Sequence, residues 1–539
     1  MSGRKHQATD VLIIGAGASG GVAARRLSQA GLSVRILEQG HWPDRGAFRG
    51  AEDDWELTYR KQWSADPCVR QRPEDYPINS DDADITPLMF NGVGGGTIIY
   101  NGTWPRMLPS DFRTRSLDGI GDDWPVSYND LKPFYDRSDL EFGVSGLGGD
   151  PFFPDEIEYP LPPLPLGKAG RKVAEGHNKL GWHWWVEPNA ILSRPYEGRH
   201  PCVQRGTCTS GCGEGAKAST DLTHFPHAIR SGAELVTGAR VVRIEHDENG
   251  LATGAVYLTH DGVEHFAEAS IVVVAANAIG TPRLLLMSAS NRFPDGLANR
   301  SGLVGKRLMM HTFSVVTGYF EESLGTWQGH FGASITSYEF YETDPQRGFA
   351  RGAKWALSPI GGPLGHVLPQ RAGQAVWGAA HHDHMLERFG RGASWAIFGE
   401  DLPEDTNTVT LDPVLTDSSG LPAPKVDYTL GKNSIDLMHF HVDRAAESMQ
   451  AAGAKTVTRD VLLPHSGWHL MGTARMGDDP GASVVDKWSR SHDVPNLFVV
   501  DASQFVTSSG VNPTSTIAAL ALRAADRIVS HRSEIPVPS

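Results

Sequence analysis

The chain has 539 residues, too many for one hydrophobic core, so two or more domains are expected. Its composition, 40% hydrophobic and 21% charged, is that of an ordinary globular protein, and a formal net charge of −14 disfavours nucleic acid and anionic membrane as partners. No apolar run reaches the ~18 residues of a membrane span, and the opening MSGRKHQATD lacks the apolar core of a secretory signal and carries no twin arginine, so the cytoplasm is the expected compartment.

The first element carries the most information. Val11 to Gly20 reads VLIIGAGASG, an apolar run ending in Gly15, Gly17 and Gly20. A helical pattern follows through Leu27, and a second apolar run, SVRILE, closes on Glu38. Strand, glycine turn, helix, strand and acid form the dinucleotide fingerprint in its required context. Gly15 permits the tight turn, Gly17 lets backbone approach a pyrophosphate, and Gly20 lets helix and strand close up. The diphosphate is then expected on the helix N-terminus, beside Ala18 and Ser19. Glu38 falls where a carboxylate grips a ribose hydroxyl pair and would repel a 2′-phosphate. The fingerprint does not choose between FAD and NAD.

Residues 41–90 read as loop-rich and polar. A glycine cluster follows, NGVGGGTIIYNGTW from Asn91 to Trp104, in which Gly94, Gly95, Gly96 and Thr97 would let backbone pass close to a flat ring. The proline-rich stretch 150–166 predicts an extended connector. Residues 233–280 predict a β-meander, with two strands joined by the turn-forming DENG. Residues 316–400 predict a strand-rich region with long loops. The tail returns to a strand, NLFVVDAS, and then to a helix from Asn512, with Pro513 suited to its first turn, through about Ile528. There is no internal repeat.

Four separated patches point the same way: the opening fingerprint, the GGGT cluster, AANAIGTPRLLLMSA at Ala275–Ala289, and the tail HLMGTARMG, NLFVVDAS and GVNPTSTIAALALRAADRI. Together they resemble the glucose–methanol–choline (GMC) family of FAD-dependent oxidoreductases. The resemblance covers residues 9–40, 90–112, 200–310 and 460–530 and fades over 316–455. Asn277 and Ala289 depart from the second family signature, where a small residue and glycine are usual.

The resemblance implies an α/β fold (α+β overall) with a Rossmann-like FAD-binding domain and a second, sheet-rich substrate-binding domain. The expected division is 1–110, 200–315 and 460–539 for FAD, and 111–199 and 316–459 for substrate. It further implies FAD contacts at Asn101, Gly102, Thr103, Val241, Ala275, Asp501, Ala502, Asn512, Pro513 and Thr514. Where some members attach a histidine to the flavin this chain has Ile99, beside Tyr100, so the FAD is expected to be non-covalent. His469 heads HxxGTxxMG, the family's catalytic-histidine motif, and Asn512 matches the second active-site position. A neutral imidazole, with a pKa near ~6.5, suits removal of the alcohol proton, and an amide suits holding the oxygen. The helix after Asn512 would present its positive N-terminus to the pyrimidine end of the flavin.

Cys202, Cys208 and Cys212 are separated by five and then three residues. That spacing resembles the cysteines that hold an iron–sulfur cluster in FAD-dependent glucose dehydrogenases, but Gly213 replaces the proline expected after the last one. No bound metal is the favoured reading, as buried thiols or one local disulfide; a cluster that relays electrons to a partner is the alternative. Adjacent histidines among His381, His382 and His384, read as a strand, would point to opposite faces, so few could share one ion, and a polar pocket loop or surface is the expected reading. His183–Trp185, among 14 tryptophans, offers weak support for stacking on sugar rings. The expected reaction is oxidation of a sugar or glycoside ring hydroxyl, at C2 or C3, to a ketone, with O₂ or a quinone-like acceptor taking the electrons. A non-sugar alcohol, a non-redox lyase and a non-catalytic flavoprotein are the alternatives.

Overall fold

The computed structural model describes residues 8–48, 56, 65–68, 76–154, 156–359, 362–363 and 376–538. Part of the 41–90 and 316–400 readings therefore lies outside the described residues.

The fingerprint builds the centre of a seven-stranded sheet. Thr9–Ile14 pairs in parallel with Val34–Glu38 on one side and with Glu264–Val274 on the other, in the register Val11↔Val34 and Val11↔Ile271. Glu234–Thr237 extends the parallel set beyond Val34–Glu38, and Leu497–Val499 flanks Glu264–Val274. Residues 11–14, residues 271–274 and Leu497–Val499 are buried on both faces, which is why they read as unbroken apolar runs, whereas Glu234–Thr237 at the sheet edge is only partly buried. Val11 and Ile13 point into a core shared with the helices Ala18–Gln29 and Thr514–Ser530, through Val22, Leu27, Leu522 and Ile528. Leu12 and Ile14 alternate to the opposite face and meet Trp124 and Phe505. Each such fully buried aliphatic side chain contributes about 1.5–3 kcal/mol.

The predicted meander is present but smaller. Arg240–His246, Ala252–Leu258 and the first half of Glu264–Val274 are antiparallel, and Asp247–Gly250 makes the first turn. The preceding ELVT belongs instead to the parallel sheet. Gly238, at φ +64°, breaks the run, and the Gly238 and Ala239 amides donate to the Gly40 and Glu38 carbonyls.

A second, six-stranded sheet is built mostly from the later chain. Its order is Thr456–Asp460, Thr312–Tyr319, Gly392–Gly399, Ala353–Pro359, Ile335–Ser337 and Trp185–Val186, each neighbour antiparallel. One face packs Val316, Trp355, Trp395 and Ile397 against Leu437, Val442 and Met449 of the helix Lys432–Ala451. The residues alternating with these, Phe313, Val315, Ala396 and Phe398, face the other way, over the first sheet's cavity. A small sheet of Thr408–Thr416, Pro422–Tyr428 and Asn79–Ala83 completes the set among the described residues.

Two sequence readings need correction here. His381, His382 and His384 lie on the helix Ala379–Arg388, not on a strand. The C-terminal helix begins at Thr514, with Pro513 as its N-cap, two residues later than Asn512.

Candidate active site

A cavity of about 770 Å³ runs from the fingerprint turn to the inner face of the second sheet. This is toward the upper end of the roughly 300–1,000 Å³ usual for ligand pockets. Gly15, Gly17, Ala18 and Ser19 wall one end, with Glu38 beside them. The helix Ala18–Gln29 has no acidic residue in its first turn and no side-chain cap, so its N-terminal amides remain available to an anion. Glu38 is positioned by backbone: its two carboxylate oxygens accept from the Ala16 and Gly40 amides, each at 2.8 Å. Burial raises the pKa of its carboxyl against these bonds.

A Cβ on Gly17 would meet only the Gly95 Cα, at 4.0 Å, and one on Gly96 would meet nothing; any side chain there would occupy the cavity. Gly17 and Gly96 therefore keep room for a ligand, as a dinucleotide lying across this turn requires. Gly20 acts otherwise: its Cβ would overlap the Gly15 carbonyl, so its bare backbone serves helix–strand packing.

In the middle of the cavity Gly95, Gly96, Thr97, Asn101 and Thr103 form one wall. Gly94, at φ +102°, and Gly102 stand behind it; the Gly94 amide donates to Ala16, which ties the glycine cluster to the fingerprint turn. The same cavity is also lined by Val241, Ala275, Asp501, Ala502, Pro513 and Thr514. Asp501 accepts from the Asn277 amide at 3.0 Å and the Thr281 hydroxyl at 2.6 Å, joining the tail to the helix Asn277–Met287. Asn277, at φ +67°, caps that helix, its Oδ1 accepting from the Ile279 and Gly280 amides.

His469 and Asn512 meet at the far end. His469 Nε2 lies 3.3 Å from Asn512 Nδ2, and His469 Nδ1 lies 2.9 Å from Nδ1 of His311. His311 Nε2 is 3.2 Å from the Ser508 carbonyl. A carbonyl only accepts, so His311 carries its proton on Nε2 and accepts at Nδ1. His469 then donates from Nδ1 and keeps a lone pair on Nε2, toward which Asn512 donates. Burial holds His469 well below the ordinary histidine range, helped by His311 and Lys354, and burial lowers His311 to about 4. Both rings are therefore neutral at physiological pH, and His469 carries its lone pair on Nε2.

The inner face of the second sheet roofs this pair. Phe313, Val315, Ala396, Phe398 and Trp468 line the roof, with Phe331 beside them and Ser358 and Ser394 at one edge. Phe398 lies over the His469 ring, centroids 5.5 Å apart, and Trp468 stands edge-on to Phe313 at 5.2 Å. Trp184 and Trp185 are not among the residues lining the cavity.

The cavity thus joins a glycine turn of dinucleotide-binding form at one end to a neutral imidazole beside an amide at the other. Comparisons with known proteins give the family. Family models described as GMC oxidoreductase match residues 9–313 and 403–521. The chain is 46% identical to the 2-methyl-1,2-propanediol dehydrogenase of Mycolicibacterium austroafricanum, covering 98% of this chain and 96% of that one. It is 30% identical to the fructose dehydrogenase large subunit of Gluconobacter japonicus, covering 97% and 98%. It is 31% identical to the 6'''-hydroxyparomomycin C oxidase of Streptomyces lividus, covering 97% and 91%. Among solved structures, a variant of Aspergillus oryzae formate oxidase, studied for modification of its FAD, shares the fold with a TM-score of 0.66 at 13% identity, covering 98% and 99%. The chain belongs to the GMC oxidoreductase family, whose members bind FAD and act on alcohols.

The cysteine loop delivers something the spacing did not announce. Cys202, Cys208 and Cys212 are unbridged, and no group of three or more metal-ligating side chains is assembled among the described residues. Burial pushes the Cys202 thiol up to about 12 and raises Cys208 as well. The loop ends on Lys217, whose buried ammonium donates to the Ile98 and Tyr100 carbonyls at 2.8 and 2.6 Å and fixes the wall that follows the glycine cluster. Lys217 and His311 are both absent from the motif reading. Among the described residues no helix is long and apolar enough to cross a membrane.

Proposed function

We propose that the protein oxidises a compact, mainly apolar alcohol or vicinal diol to the carbonyl compound, using non-covalent FAD. Bound FAD supplies the hydride acceptor. His469 and Asn512 do the rest of the work on the hydroxyl. The alcohol replaces the direct bond between them: its O–H donates to the lone pair of His469 Nε2, and its oxygen accepts from Asn512 Nδ2. His469 removes the proton while the amide holds the oxygen. Ile99 and Tyr100, where a covalent histidine would stand, support non-covalent binding. The N-terminus of Thr514–Ser530, free of acidic residues and walling the same cavity, favours negative charge there. Residues 1–110, 200–315 and 460–539 would hold FAD, and 111–199 and 316–459 the substrate; O₂ or a quinone-like acceptor would complete turnover.

The observation that carries the substrate reading is the roof. Phe313, Val315, Phe331, Ala396, Phe398 and Trp468 offer apolar surface, with Ser358 and Ser394 as edge hydroxyls. A sugar would bury several hydroxyls against it without partners, at about 1–3 kcal/mol each. The near relative named for 2-methyl-1,2-propanediol supports the same reading. Oxidation of a sugar or glycoside at C2 or C3 is the second reading, favoured by the relatives named for fructose and paromomycin chemistry. An anaerobic titration followed at the flavin band separates them. Bleaching by small branched diols at lower concentration than by glucose or methyl glucosides is expected. The reverse order establishes the sugar reading, and no bleaching by any alcohol refutes both.

A further inference from the structure

The His469–Asn512 pair is held from a second side by a buried ion pair that no motif announces. Lys354 lies on Ala353–Pro359, opposite Phe398 in the antiparallel register and so on the face of the sheet that roofs the cavity. Its ammonium is fully buried, donates to Asn512 Oδ1 at 3.0 Å, and is paired with Glu187, which is also buried. A buried charge is costly unless paired, and replacing such a pair by apolar side chains is often neutral or stabilising for a fold. Stability alone is therefore a poor reason for one here.

We infer that Lys354, held by Glu187, is a positioning residue that locks the Asn512 amide and, through it, the proton-accepting tautomer of His469. Two states of the chain compete. With Oδ1 on the ammonium, Asn512 presents Nδ2–H to His469, and the Nε2 lone pair faces the substrate. With the amide flipped, Oδ1 faces His469 and demands a proton on Nε2. That tautomer has no lone pair for the alcohol, and Asn512 then has no donor for its oxygen. The flipped state also sets the two N–H₂ protons against the ammonium. It further moves the His311 proton to Nδ1, leaving a bare Nε2 against the Ser508 carbonyl at 3.2 Å. Lys354 at one end of the chain and the Ser508 carbonyl at the other thus select the same state. The inference rests on His469 and Asn512 being the reacting pair; if they are not, Asn512→Ala alone leaves the rate unchanged, which separates the two failures.

The test is a double-mutant cycle on the FAD-loaded enzyme. The variant Lys354→Met/Glu187→Gln removes both charges, so neither is left unpaired. Stopped-flow flavin reduction by the best alcohol of the diol panel should slow about 10²-fold, the scale of a small misplacement of a reacting group, with FAD retained. In an Asn512→Ala background the same change should alter the remaining rate by no more than about twofold, because the amide it orients is gone. Independently of turnover, ¹⁵N-histidine spectra, with His469 assigned by His469→Gln, should show Nε2 unprotonated in the parent and a mixture of tautomers in the double variant. An equal loss in both backgrounds, no loss in the parent background, an unchanged tautomer, or loss of FAD by the double variant would each overturn the inference.

Discussion

Gly17→Val separates the room for a ligand from the packing of the fold. Gly17 has a negative φ, −84°, so a valine needs no left-handed backbone there. Its Cβ would find the Gly95 Cα at 4.0 Å and no other protein atom within that distance, so its methyl groups project into the cavity. The apo variant should therefore unfold within about 0.5 kcal/mol of the apo parent, as surface changes do. What it loses is the linkage term of the cofactor, about 2.7–4.1 kcal/mol at 100 to 1,000 times Kd. The assay is urea unfolding of apo and FAD-supplemented protein, with the 450 nm absorbance (about, for a flavin) of the purified product as a second readout. Gly20→Ala is the control: its Cβ would overlap the Gly15 carbonyl, so that variant should lose stability with or without FAD. A yellow Gly17→Val protein with the parent's FAD-induced stabilisation would refute the placement of the diphosphate at this turn.

Further outcomes follow from the same geometry. His469 must be neutral to accept a proton, and burial, His311 and Lys354 all depress it below 6.5, so flavin reduction should stay flat from neutral pH down through 6.5; an acid limb centred at 6.5 in the rapid-reaction profile would contradict this. His177, His311 and His330 are lowered to about 4 and His441 to about 3, each by burial. The unfolded chain therefore protonates first, and stability should be full above 6.5 and fall as pH drops toward 4, by roughly 1.4 kcal/mol per pH unit for each such group, measured by urea unfolding across pH. Ala396→Phe would fill the roof, and should lower kcat/KM for the alcohol at least about tenfold with FAD content unchanged. Asn277→Ala removes a helix cap at a left-handed position and should cost about 1–2 kcal/mol by urea unfolding.

The parts legible in the sequence are those written within one short stretch of chain. The fingerprint strand, turn and helix are local, and their periodicity predicts them because packing on both faces leaves no choice of residue type. His469 stands out because it heads HxxGTxxMG and Asn512 because it lies in GVNPT, but nothing in 43 residues of separation says that their side chains come within 3.3 Å. His311 and Lys354 were not found, because strand register rather than spacing brings them in from 158 residues away in each case. A trace of Lys354 was there to read: a lysine inside the apolar strand run AKWAL must be paired if that strand is buried. Asn277 reads as a flaw in a signature but serves as a cap, since asparagine tolerates the left-handed backbone that the turn demands. The three cysteines drew attention by their type, whereas the residue their loop places against the cavity wall is Lys217.

The account stands on His469 as the group that takes the hydroxyl proton. The direct measurement is the anaerobic rate of flavin reduction by a small diol in His469→Gln, with FAD content determined on the same sample. A fall of about 10²–10⁴-fold with FAD fully retained is predicted. A rate equal to the parent's, in a fully loaded protein, would contradict it.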